Sequence, residues 1–388
     1  MVSGLNRITI GIFVIVGIII FGMFFAWTQK SEIVVTPGEF MEQKKQDLFP
    51  SRSQERVQNI EEKDTSFEES ETINPNLCTD YDCFEKYYQK VVAEQTIAEA
   101  FVDLQVRYDE SALVRSLCHP FVHVIGRAAV EKYPDVAEAY TKGDHFCWSG
   151  YYHGVMEKIL YDTEAEELPS VVNNICENVP GKATYSFDYY NCVHGLGHGV
   201  MYVTDNELFD ALILCDSLQG TWEQESCYGG VFMENVITDF ENHYTKYLKP
   251  EEPLYPCTAV PEKNKHACYL MQTSYVLKTN GYDFADAFEQ CSTVKENHQD
   301  TCYQSVGRDA SGSTVSDVER TKNYCLLGKE YRQQVNCAVG AVKDFISYFH
   351  SDVQAKQLCA AFANDKDIEK ACLSTADIYY QSFTPPEI

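Results

Sequence analysis

Six of the ten histidines in this 388-residue chain crowd one stretch: His119, His123, His145, His153, His194 and His198. The other four, His243, His266, His298 and His350, stand singly. Two segments carry histidines at i and i+4, namely Cys118-His-Pro-Phe-Val-His123 and Cys192-Val-His-Gly-Leu-Gly-His198. On a helix that spacing puts both imidazoles on one face, the geometry in which zinc, copper or iron is held. Pro120 marks His119 as a helix start, so His123 is the firmer inner member of its pair. The ligand set expected is therefore His123, His153, His194 and His198, with His119 and His145 as weaker candidates. Glu157 and Glu234 follow on the same segments and are candidate ligands or general bases.

No reaction follows from these residue types. H-E-x-x-H, G-x-S-x-G, a P-loop and a strand-to-helix G-x-G-x-x-G are all missing, and His194-Gly-Leu-Gly-His198 lacks the glutamate of a zincin. The cofactor implied is a transition metal (Zn, Cu or Fe), in a metal-binding protein or an enzyme of unspecified reaction. The alternative is a non-catalytic scaffold whose groove takes a protein or peptide, the histidines serving as packing.

The elements that must position these side chains show in the cysteines. There are 16, and no C-x-x-C pair or haem attachment motif among them. Cys192, Cys227, Cys268, Cys302, Cys337 and Cys372 are separated by 35, 41, 34, 35 and 35 residues. Each has an earlier partner 11 to 16 residues before it: Cys176, Cys215, Cys257, Cys291, Cys325 and Cys359. Helix-like segments precede the first cysteine of a pair, as in Asp283-Phe-Ala-Asp-Ala-Phe-Glu-Gln-Cys291, where Asp283 can cap the start. Another helical segment follows the second. Three residues past it the side chain is usually small, as at Gly195, Gly230 and Gly340, which lets two helices approach closely. Disulfides within each pair, with Cys78–Cys83 and Cys118–Cys147 completing the set, would staple the loops.

A period near 35 with paired helices predicts an all-α fold of disulfide-stapled helical-hairpin repeats, an α-solenoid. In architecture alone this resembles the tetratricopeptide class, whose Trp, Leu-Gly, Tyr and Pro positions are not recognisable here. His153 and His198 each lie six residues after the second cysteine of their unit, so they are equivalent. Later units carry Met233, Ser274, Arg308, Lys343 and Ile378 at that position.

Ile8–Trp27 is a 20-residue apolar run, long enough to cross a bilayer as an uncleaved anchor. Residues 1–7 are then cytoplasmic and 28–76 an acidic stalk. Residues 77–388 form an extracytoplasmic domain, where disulfides persist, with a histidine-rich part at 113–240 and a histidine-poor part at 241–383. The net charge of −27, from 31 Lys plus Arg against 58 Asp plus Glu, excludes nucleic acid as a partner.

Overall fold

The computed structural model describes residues 73–147, 149–164, 167–237, 245–314 and 316–383, all in one compact unit. The apolar run at 8–27 and the stalk up to residue 72 lie outside the described residues. Among the described residues there are α-helices and short 3-10 turns and no strands, and no helix is long and apolar enough to cross a membrane.

The first helices are α1 (Tyr81–Glu94), α2 (Ile97–Glu110), α3 (Ala112–Ser116), α4 (Cys118–Lys132), α5 (Val136–Thr141) and α6 (Gly150–Tyr161). They are followed by α7 (Leu168–Asn174), α8 (Phe187–Val203), α9 (Leu208–Asp216), α10 (Thr221–Ile237) and α11 (Lys265–Thr279). The rest are α12 (Phe284–Ser292), α13 (Glu296–Ser313), α14 (Val318–Cys325), α15 (Tyr331–Phe349), α16 (Val353–Ala361) and α17 (Lys366–Phe383). Short polar residues open many of them. Asp80, Thr96, Asp135, Ser186, Asp283 and Asp317 each accept the backbone N–H three positions on, satisfying a donor that the first turn leaves open.

Longer helices pack side by side in one row: α4 on α6, α6 on α8, α8 on α10, α10 on α11, α11 on α13, α13 on α15 and α15 on α17. Shorter helices lie between them in sequence and are bridged to the row. Cys215 of α9 joins Cys227 of α10, Cys291 of α12 joins Cys302 of α13, Cys325 of α14 joins Cys337 of α15, and Cys359 of α16 joins Cys372 of α17. Cys78–Cys83, Cys118–Cys147, Cys176–Cys192 and Cys257–Cys268 complete eight bridges, and no cysteine is free. Each closes a short stretch of chain, removing freedom from the unfolded state worth roughly 3 kcal/mol for a loop of about 15 residues.

Three pairs of row helices cross at glycines. A Cβ on Gly126 would stand 2.1 Å from the Tyr151 carbonyl oxygen, and one on Gly154 would stand 2.1 Å from that of His123. Gly197 and Gly230 meet the carbonyls of Cys227 and His194 in the same way, and Gly307 and Gly340 those of Cys337 and Gln304. In each pair a glycine rests on the carbonyl three residues before its partner glycine. Backbones approach this closely only where neither helix carries a side chain, which offsets the cost of about 1 kcal/mol for glycine inside a helix. The row also turns back on itself: Phe383, the last residue of α17, stacks on Phe187, the first of α8, with ring centroids 4.3 Å apart.

Candidate metal centre

The glycine crossings of α4 with α6 and of α8 with α10, and the packing of α6 on α8, fix where the histidines meet. His119 and His123 lie on α4, His153 on α6, and His194 and His198 on α8. His123 is three residues before Gly126, His153 directly before Gly154, and His194 and His198 flank Gly197. Side chains next to a crossing point have no room to turn outward, so all five imidazoles enter one buried space. The ligand nitrogens of His119, His123 and His153 lie within 4.8 Å of one another, and so do those of His153, His194 and His198. His153 belongs to both sets. Its ring lies parallel to that of His198 at 3.8 Å, and 5.2 Å from that of His123.

Hydrogen bonds fix which nitrogen of His119, His123 and His198 faces inward. His123 Nδ1 is 2.7 Å from Glu157 Oε1, and His198 Nδ1 is 2.6 Å from Glu234 Oε2. An ionised carboxylate only accepts, so both Nδ1 atoms carry the proton and donate it. His119 Nδ1 likewise donates to the Cys147 carbonyl at 2.8 Å. His194 has longer contacts, with Tyr190 Oη 3.5 Å from its Nδ1 and Met233 Sδ 3.5 Å from its Nε2. The Nε2 lone pairs of His119 and His123 are left facing one another at 3.0 Å, and the Nε2 atoms of His194 and His198 stand 3.4 Å apart. Two bare lone pairs at this distance repel. A cation between them removes the repulsion, and two nitrogens bound tetrahedrally at the usual zinc distance stand about 3.3 Å apart.

His153 differs from the other four. Its Nδ1 is buried without a hydrogen-bond partner, at 3% exposure of the residue. An orphaned buried nitrogen costs about 1–3 kcal/mol, and a metal ion is a group that would satisfy it. Burial, and then the neighbouring imidazoles, lower the pKa of His119, His194 and His198 to about 3 and that of His153 well below its ordinary value. Neutral imidazole is the form that binds metal.

Glu157 is held by a second partner as well. Burial pushes its pKa up, but His123 and Arg127 outweigh that and hold it well below the ordinary carboxylate range. Arg127 Nη1 is 2.8 Å from Glu157 Oε2, while its Nη2 reaches Tyr81 Oη and Glu85 Oε1 at 3.3 Å. Both glutamates thus orient histidines of the neighbouring helix, the arrangement seen behind many metal-bound imidazoles.

Of the residues singled out from the sequence, the structure brings together His119, His123, His153, His194, His198, Glu157 and Glu234. His119, weighed as the weaker member, is fully engaged: α4 does start at Cys118, but its first turn already carries the i, i+4 geometry. His145 is elsewhere, half exposed beside Asp144, with its ring 5.1 Å from that of His350. Sequence reasoning did not single out Arg127, Tyr190 or the Cys147 carbonyl. Arg127 carried one signal, its place four residues after His123 on the same helix face. Met233 Sδ also enters the site, 3.5 Å from His194 Nε2.

Comparison with protein-family models, with curated proteins and with solved structures gives no match to this chain. Among the described residues the chain is all-helical and disulfide-bonded, with histidine clusters that can hold a metal ion.

Proposed function

We propose that this protein binds a transition metal through His119, His123, His153, His194 and His198, with Glu157 and Glu234 orienting two of the rings. The observation that carries this is the paired arrangement of Nε2 atoms, at 3.0 and 3.4 Å, with the Nδ1 atoms of His119, His123 and His198 engaged from behind. Zinc, copper and iron all accept such imidazole sets. Three nitrogen ligands to an ion leave a position for water or substrate, as in catalytic zinc sites. Hydrolytic or redox chemistry at that position is compatible with the site, and no named reaction is attached to it.

The proposal includes the setting. A membrane anchor at 8–27 with the described unit on the extracytoplasmic side is supported by eight disulfides and the lack of a free cysteine, which fit an oxidising compartment. An architecture of stapled helical-hairpin repeats is supported by the bridges between successive short and long helices and by the three equivalent glycine crossings.

Elemental analysis of the full-length chain, purified through a tag without histidine, tests the function. Stoichiometric zinc, copper or iron, lost on His123→Ala with helical content retained, is the expected result. Absence of bound metal, persisting after reconstitution with each of the three ions, overturns it and leaves the scaffold reading.

A further inference from the structure

We propose that the cluster holds two transition-metal ions joined by the ring of His153, one on His119 and His123 and the other on His194 and His198. The inference rests on the metal-binding function proposed above and deepens it.

Three of the five rings have one nitrogen engaged from behind. The Cys147 carbonyl occupies Nδ1 of His119, Glu157 that of His123 and Glu234 that of His198. Each of these therefore offers one nitrogen and can serve one ion. His153 has no carboxylate or carbonyl behind it, and its Nδ1 is buried and unpartnered. Both of its nitrogens are thus open to ligation, and the bridge requires the ring to turn out of its parallel stack on His198 so that one nitrogen reaches each pair. Its placement agrees: α6 packs on α4 on one side and on α8 on the other, and His153 is the ring common to both ligand sets. An imidazole that binds through both nitrogens must lose its remaining N–H proton. That proton leaves to water as the second ion binds, and the two cations stabilise the imidazolate left behind.

The two positions are unlike. Met233 Sδ lies 3.5 Å from His194 Nε2 and gives the second position a thioether that the first lacks. Thioether sulfur is a soft ligand, so copper is the ion that the second position favours.

The test is a titration of full-length, chelator-stripped protein with a copper(II) salt alone, followed by low-temperature electron paramagnetic resonance. The expected result is uptake of two ions per chain. The signal rises with the first ion and falls with the second, because an imidazolate bridge couples the two spins in opposition. His153→Gln should abolish the fall while keeping helical content. Should that variant fail to fold, His119→Ala should retain one ion with full signal. One ion per chain in the wild type, or two whose signals simply add, overturns the bridge and leaves a metal centre standing. No uptake of copper, and none of zinc in a parallel titration, overturns the metal centre itself.

Discussion

Gly154 rests directly on the backbone carbonyl of His123, so closely that a Cβ there would lie 2.1 Å from the oxygen. One contact thus sets the distance between the helix that carries His119 and His123 and the helix that carries His153. Gly154→Ala must push α6 away from α4, since the obstruction is backbone and cannot rotate aside. The expected cost is about 1–3 kcal/mol, the range for overpacking a tight site, together with loss of bound metal. Gly312 is the control: it is helical, and a Cβ there meets nothing within 4 Å. Gly312→Ala should leave stability unchanged or raise it by up to about 1 kcal/mol. Thermal denaturation and metal content of the two variants check this, and equal effects would show that the crossing does not position the site.

Removing the negative charge behind a ligand weakens the ligand without deleting it. Glu157→Gln and Glu234→Gln should each lower metal affinity by about 10- to 100-fold, measured by competition with a chelator of known affinity. Glu157→Gln should also lower stability. Glu157 also pairs with Arg127 at 2.8 Å and is itself 5% exposed. Its neutralisation leaves a largely buried guanidinium short of a partner, which costs up to about 3–5 kcal/mol when a buried pair is broken. A Glu157→Gln variant as stable as the wild type would deny Arg127 that role.

The histidines also set an acid limit. The pKa of His119, His194 and His198 is lowered to about 3 in the folded chain, chiefly by burial, against an unfolded value of about 6.5. The unfolded state therefore binds more protons between those two values, so stability rises with pH there. The contribution is complete above about pH 6.5 and is lost progressively as pH falls toward 3. Each unit of lowering is worth about 1.4 kcal/mol per group. Urea unfolding of the metal-stripped protein at pH 7, 6 and 5 should show a steep fall. A flat profile across that window would mean that these rings are hydrated and not buried.

The helical class and the disulfide frame were legible because they follow from local spacing. Cys325 and Cys337 sit 12 residues apart, and a turn of that length brings two helix ends within bridging distance. The position six residues after the second cysteine was legible as one stripe, and the structure sets His153, His198 and Met233 from it around one space. The roles of the glutamates were not legible. Glu157 is four residues after His153 on α6, which reads as a same-face partner of that ring. It turns instead to His123 on the neighbouring helix, because the crossing at Gly154 leaves it facing α4. Tertiary proximity of this kind leaves no periodic trace. Nor does Phe383 meeting Phe187, which depends on the curvature accumulated over the whole row.

Asp344, on α15, offers a prediction away from the histidines. It is partly buried, close to Arg308 and Asp309 and hydrogen-bonded to Ser311. Burial raises its pKa to about 6, helped by Asp309 and opposed by Ser311 and Arg308. The sign is opposite to that of the histidines. The folded chain holds a proton on this carboxyl up to about pH 6, whereas the unfolded chain releases it near 3.8. Stability therefore falls as pH rises between those values and then stays level, leaving a charged group that the fold tolerates poorly at neutral pH. Asp344→Asn keeps the shape and an oxygen for Ser311 and removes the charge. It should stabilise the protein at pH 7 by about 1–3 kcal/mol, the upper figure being the full shift converted at 1.4 kcal/mol per unit. The lower figure allows for the Arg308 attraction that is lost with the charge. Near pH 3 and below the variant and the wild type should be alike, because the carboxyl is then mostly protonated in both the folded and the unfolded chain. Unfolding curves at the two pH values decide it. Destabilisation of Asp344→Asn at pH 7 would show that attraction to Arg308 outweighs burial and that the carboxylate is held charged.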